Sequence, residues 1–260
     1  MTRKAIVMGA TSGISMEVAK ELARKGWLVG IAGRREERLK EVTLSSENIL
    51  CYKQIDVNDE DAAEHLLELI EELGGIDLYF HSSGIGWQNT QLDEEKELAT
   101  VQTNGLGFTR MVDTAYNWFA RKVTDPEAIA DEYDRRQPDK HHPYRIACIT
   151  SIAGTKGLGA APAYSATKRF QNHYLECLTQ QARMRHLPIR ITDIRPGFVK
   201  TDLIAGASYP LQLDPKDVAS SIVRAIEKGK AVKVIDWRYA ILVALWRLIP
   251  RWLWTRLHIG

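Results

Sequence analysis

A doubly wound α/β fold, with seven parallel strands and helices on both faces, is predicted for these 260 residues by three observations. Short apolar runs of β character alternate with longer helical patterns, the signature of repeated βαβ units. A glycine-rich turn stands directly between the first such run and the first helix. The length suits one large domain with a substantial core, and no internal repeat or low-complexity tract divides it.

The elements follow in order. Strands are expected at 4–8, 27–32, 49–53, 76–81, 145–151, 189–194 and 231–235, with helices near 13–25, 36–43, 59–73, 95–120, 163–185 and 215–228. The 59–73 helix carries Ala62, Ala63, Leu66, Leu67, Leu69 and Ile70 as one broad apolar face. The 215–228 helix opens with Asp214 as N-cap and Pro215 at its first position, and stops at Gly229. Two segments break the rhythm. Residues 121–143 are polar, of mixed charge and hold three prolines, which predicts a surface insertion. The stretch 237–257 is rich in Trp, Leu and Arg, so the chain divides into a 1–236 domain and a 237–260 tail.

Composition narrows the function classes. A net charge of +2 without a dense basic stripe argues against a nucleic-acid partner. Cys51, Cys148 and Cys177 are widely spaced and odd in number, which argues against a disulfide framework or a zinc site and fits a reducing cytoplasm. The adjacent His141 and His142 have no third ligand in view, and no metal is expected. The N-terminus lacks the apolar core of a signal peptide, and no run reaches the roughly 18 apolar residues of a membrane span.

The chemistry is carried by three local patterns. The first strand ends in Gly9, followed by Thr11, Ser12, Gly13, Ile14 and Ser15 at the head of a helix. Backbone amides there can approach a diphosphate, and the helix N-terminus favours negative charge. The second strand runs into Gly33, Arg34 and Arg35 with no acid before Glu36. An arginine at this point accommodates a ribose 2′-phosphate where an acid would bind the 2′-hydroxyl, so NADP(H) is favoured over NAD(H). Tyr164 and Lys168 stand four apart on one helix. A neighbouring ammonium favours phenolate and lowers a pKa that is near 10 for free tyrosine, which is what proton transfer at neutral pH needs. Ser151, at the end of the preceding strand, is placed to hydrogen-bond a substrate oxygen.

Together these patterns resemble the short-chain dehydrogenase/reductase family, in its NADP-preferring branch with a TGxxxGxG-like loop, across nearly all of residues 3–236. The resemblance implies a Rossmann-like domain without metal, in which hydride moves between nicotinamide and a carbonyl or alcohol carbon. Matched residue by residue, it implies a catalytic set of Asn104, Ser151, Tyr164 and Lys168. Tyr164 is the acid/base, Lys168 binds nicotinamide ribose and lowers the tyrosine pKa, and Asn104 holds a water linking Lys168 to solvent. Gly9, Thr11, Ser12, Gly13 and Ile14 form the cofactor turn, and Arg34 and Arg35 meet the ribose phosphate. Asp56 and Val57 lie at the adenine, Ser83 and Gly84 at the turn after the fourth strand. Pro196, Gly197, Val199 and Thr201 meet the nicotinamide end. Ser15 and His81 depart from the family pattern, which usually has glycine and asparagine there. Members are commonly homodimers or homotetramers.

The substrate side is less determined. Trp87, Tyr209, Leu211 and Leu213 are expected to line it, with no charged anchor, so an apolar carbonyl or alcohol is favoured. The tail interleaves Trp237, Trp246, Trp252 and Trp254 with Arg238, Arg247, Arg251 and Arg256, and resembles extensions of members that act on lipid-like substrates. It either lies on a membrane surface or packs against the core or a second subunit. Beside the enzyme, a catalytically idle NADP(H)-binding redox sensor stays open as the rival.

Overall fold

The computed structural model describes residues 2–125, 138, 143–201 and 211–257. Seven strands form one parallel sheet in the order β3-β2-β1-β4-β5-β6-β7: β1 (Lys4–Met8), β2 (Leu28–Gly33), β3 (Ile49–Gln54), β4 (Leu78–His81), β5 (Tyr144–Ile149), β6 (Ile189–Arg195) and β7 (Val232–Val234). The predicted fold class holds. In β1, Ala5 and Val7 point to one face while Ile6 and Met8 point to the other, and all four are fully buried. That alternation is what a strand covered on both sides requires.

One face is covered by α1 (Gly13–Arg24), α2 (Glu36–Thr43) and α7 (Pro215–Glu227), whose Val18, Leu39 and Ile222 enter the same core as Val7. The other carries α3 (Ala62–Glu72), α5 (Phe108–Thr124) and α6 (Pro162–Met184), through Leu66, Met111 and Leu175. Asp214 caps α7 by accepting from the Lys216 N–H, with Pro215 in the first turn, as expected.

Three expectations are corrected. The long helix expected at 95–120 is α4 (Glu94–Val101), a π-helical turn (Gln102–Gly107) and α5. The wider turn occurs where the Asn104 side chain bonds the Ile85 backbone, a tertiary cause that periodicity does not carry. The insertion expected from 121 begins later, because α5 runs on to Thr124; most of it, His141 and His142 included, lies outside the described residues. The tail is helical: α8 (Trp237–Leu248) stops before Pro250, and α9 (Arg251–Trp254) follows.

The connection reverses between β1 and β4. From β1 the chain moves outward to β2 and β3, then returns to the other side of β1. A crevice opens beyond the carboxyl ends of strands at such a switch point, and there the site lies.

Candidate active site

A cavity of about 480 Å³ runs along the carboxyl ends of β1, β2, β4, β5 and β6. It brings together every residue expected at the cofactor and catalytic positions except Asn104. At one end the chain leaves β1 with Gly9 (φ 86°) and enters α1 with Gly13 (φ 56°), both in the left-handed region that favours glycine. A side-chain carbon at Gly9 would come within 3.0 Å of the Ser83 amide nitrogen, and one at Gly13 within 2.9 Å of Thr201. The cradle is therefore made of backbone, and the N-terminus of α1, without a side-chain cap, opens onto it. These residues fit a dinucleotide diphosphate.

Ser15 resolves one of the two departures. Its hydroxyl donates to the Gly9 carbonyl at 2.5 Å and reaches that of Ser12 at 3.2 Å, so the serine ties the turn shut. Arg35 reaches across β2 to the Thr11 hydroxyl and carbonyl at 3.2 Å, and Arg34 lies 3.9 Å from Asp56. Both guanidiniums are exposed at the mouth of this end.

The other end is built on α6. Tyr164 lines the cleft beside Ser151, and Lys168 Nζ lies 5.7 Å from the centre of its ring. Ser151 stands just past β5, two residues beyond the strand's last residue, and its Oγ accepts from the Ala153 N–H at 3.1 Å. Lys168 Nζ donates to the Ile149 carbonyl (3.3 Å) and to Gln171 Oε1 (3.0 Å). Burial pulls its pKa down to about 8, against the pull of Cys148 and Asp193. Tyr164 differs from expectation: burial raises the phenol above the ordinary tyrosine value, and Ser151 beside it only partly opposes this. Asn104 lies one layer behind the cleft, fully buried, with its side chain spent on the Ile85 backbone and on Thr167.

Several supporting groups gave no readable signal. Glu97 on α4 accepts from the Ala163 N–H at 2.9 Å, capping α6, whose own N-cap Ala161 offers no oxygen. Beneath Ser151, Asp193 receives Thr150 Oγ1 (2.6 Å), Asn172 Nδ2 (3.1 Å) and a buried pair with Arg195 (2.6 Å). That lattice joins β5 and β6, just before each delivers a site residue, to α6 one turn beyond Lys168. His81 is buried, hydrogen-bonded to the Tyr79 hydroxyl at 2.9 Å and set edge-on to Phe108. Burial first, then Lys168, drive its pKa down to about 3, with the Ser83 backbone opposing, so it is a neutral core residue.

The substrate side needs the largest correction. Trp87 lines the cleft, but Leu213 points into the core, Leu211 is exposed away from the cavity, and Tyr209 lies outside the described residues. Leu242 and Trp246 of α8 line it instead, with Leu158 and Phe198. Their four-residue spacing was visible in the tail, as one face of a helix. Tyr239, also on α8, packs flat on Gly197, where any side chain would strike its ring, and its hydroxyl accepts from the Phe198 N–H at 3.2 Å. Trp254 Nε1 donates to the Gly157 carbonyl at 2.7 Å, and Lys156 Nζ to that of Ile249 at 2.6 Å. The tail thus closes over the loop between Ser151 and Tyr164.

A family model for short chain dehydrogenase matches residues 3–125 and 128–209. The chain belongs to that family of oxidoreductases. It is 29% identical to an uncharacterized oxidoreductase of Mycobacterium tuberculosis, covering 96% of this chain and 95% of that one. An uncharacterized oxidoreductase of Myxococcus xanthus is 28% identical, with 95% and 93% covered. Among solved structures, an alcohol dehydrogenase from Thermococcus sibiricus complexed with 5-hydroxy-NADP superposes with a TM-score of 0.73 at 19% identity, covering 90% of this chain and 96% of that one. A 3-ketoacyl-(acyl-carrier-protein) reductase from Brucella melitensis complexed with NADH also gives 0.73 at 19%, with the same coverage. At such identity they speak for the fold.

Proposed function

We propose that the chain is an NADP(H)-dependent carbonyl reductase, or the reverse alcohol dehydrogenase, acting on an apolar, lipid-like substrate. One observation carries this reading: Tyr164, Ser151 and Lys168 line one cleft whose far end is bordered by Arg34 and Arg35. When bound, the nicotinamide supplies or accepts the hydride and, oxidised, a positive charge beside the phenol. Tyr164 then gives its proton to the substrate oxygen in reduction and takes it back in oxidation. Burial keeps that proton on the phenol until it is needed, and Ser151 beside it eases its departure. Ser151 holds the substrate oxygen, Lys168 the nicotinamide ribose, and the turn from Gly9 to Ile14 the diphosphate. Pro196, Gly197, Val199 and Thr201 bound the nicotinamide, while Asp56 and Val57 border the adenine.

Tyr164→Phe tests the mechanism. NADPH binding, followed by its fluorescence, should stay nearly unchanged while turnover falls at least about a hundredfold. Full activity in that variant removes the proposal.

The substrate class rests on Trp87, Leu158, Phe198, Leu242 and Trp246 around the cleft mouth. The outer face of α8 extends it: Trp237, Ile241, Leu245 and Leu248 are all exposed, and residues 237–257 hold four arginines and no acid. No described helix is long and apolar enough to cross a membrane. We place this face shallowly on an anionic bilayer surface of the cytoplasm. Wild-type protein should sediment with anionic phospholipid vesicles, and an Ile241→Ser, Leu245→Ser variant should not; a wild type left in the supernatant ends the idea. Exposed Leu98, Val101 and Leu106 around α4 support a homodimer or homotetramer, whose mass sedimentation equilibrium would return; a monomer at all concentrations contradicts it.

A further inference from the structure

Gln171 is fully buried, three residues beyond Lys168 and therefore on the same face of α6. Its two amide atoms are both engaged at the site. Oε1 accepts from Lys168 Nζ at 3.0 Å, and Nε2 donates to the backbone carbonyl of Asn104 at 2.9 Å. One carboxamide, on the same helix as Tyr164, thus joins the ammonium to the Asn104 backbone.

We propose that Gln171 is a positioning residue which holds the Lys168 ammonium charged and in place by tying it to the Asn104 backbone carbonyl. This rests on the reading of Lys168 as partner of Tyr164 and cofactor. An ammonium removed from water keeps its proton only if acceptors replace the lost hydration. The groups facing Nζ are few: Tyr164 from its own helix, Cys148 from β5, Asp193 from β6, and His81 from β4. His81 is neutral, and burial holds the Cys148 thiol well above its ordinary value, so neither supplies charge at neutral pH. Asp193 is already committed to Arg195, Thr150 and Asn172. The near acceptors are the Ile149 carbonyl at 3.3 Å and Gln171 Oε1 at 3.0 Å, and Gln171 is the shorter.

The test reads Lys168 itself. Protein carrying ¹³C-labelled lysine is titrated by NMR over roughly pH 6 to 10, the Lys168 signal being identified by its loss in Lys168→Arg. Gln171→Leu removes the acceptor and should lower the Lys168 midpoint by about one pH unit; Gln171→Glu adds a negative charge and should raise it by a similar amount. The alkaline limb of kcat/KM should move in the same order. Activity losses in both variants with the midpoint unmoved would make Gln171 a packing residue and overturn the proposal. If the leucine variant fails to fold, the upward shift in the glutamate variant carries the test, and its absence is equally fatal. The titration needs no turnover: opposite shifts in a chain that reduces no carbonyl would uphold Gln171 and sink the proposed reaction.

Discussion

At the α6 end of the cleft, Lys168, Asn104, Gln171, Asn172, Asp193 and Arg195 are all buried, and each polar side chain bonds to a named neighbour. At the β2 end, Arg34 and Arg35 stand in solvent, one 3.9 Å from Asp56 and the other resting on Thr11. The first end is a lattice whose members fix one another in a low dielectric, so removing one leaves partners stranded. The second is a pair of screened charges, where loss is graded and depends on salt. On the function proposed above, geometry for chemistry is set at one end, and cofactor preference at the other.

The sharpest way to break this comparison is Asp193→Ala. It leaves the Arg195 guanidinium buried without its carboxylate and releases Thr150 and Asn172, so unfolding in urea should show a loss of about 3–5 kcal/mol. The exposed end offers the contrast: Arg34→Ala should stay within about 0.5 kcal/mol of wild type. Similar values for the two would mean that the lattice holds nothing the surface does not.

The same contrast decides what could be read in advance. β1 and α2 were placed to the residue because local pattern alone sets them. The second strand was expected to begin at Trp27, whose buried ring looks strand-like, but its N–H bonds the Leu22 carbonyl and belongs to the end of α1. Glycines and arginines of the β2 end follow from turn chemistry and charge, which act over a few residues. Tyr164, Lys168 and Ser151 were legible through order and spacing. Glu97, Gln171, Asn172 and Asp193 were not, because each acts across about 20 to 70 residues of sequence and nothing at short range distinguishes it from a surface polar group. Leu242 and Trp246 lay in a segment read as an appendage; Tyr239, which anchors it to Gly197, could be recognised only once the fold was closed.

His81 sharpens the comparison from within the buried end. Its folded pKa, about 3, lies below the 6.5 of an ordinary histidine. Between these values the unfolded chain binds a proton that the folded chain refuses, so stability rises with pH across this window and is lost as pH falls through it. Each pH unit there costs up to about 1.4 kcal/mol. His81→Asn removes the titration while keeping a side chain able to meet the Tyr79 hydroxyl. Stability plotted from pH 6.5 downward should then be flatter in the variant than in wild type. Parallel curves would assign the acid loss to other groups and show that His81 is solvated well before the fold gives way.

The smallest effects belong to the exposed end, and there the two arginines should separate. The Arg34 guanidinium lies beside Asp56 and braces no part of the glycine turn among the described contacts, so Arg34→Ala should weaken NADPH about tenfold, the worth of one charge-assisted phosphate contact, and leave NADH nearly untouched. Arg35 also braces Thr11 of the glycine turn, so Arg35→Ala should weaken both cofactors, because the cradle itself loosens. Raising ionic strength should shrink wild-type preference for NADPH towards that of Arg34→Ala. Equal losses of NADPH and NADH in Arg34→Ala would make it a structural arginine, and the discrimination between cofactors would then have to come from the buried end after all.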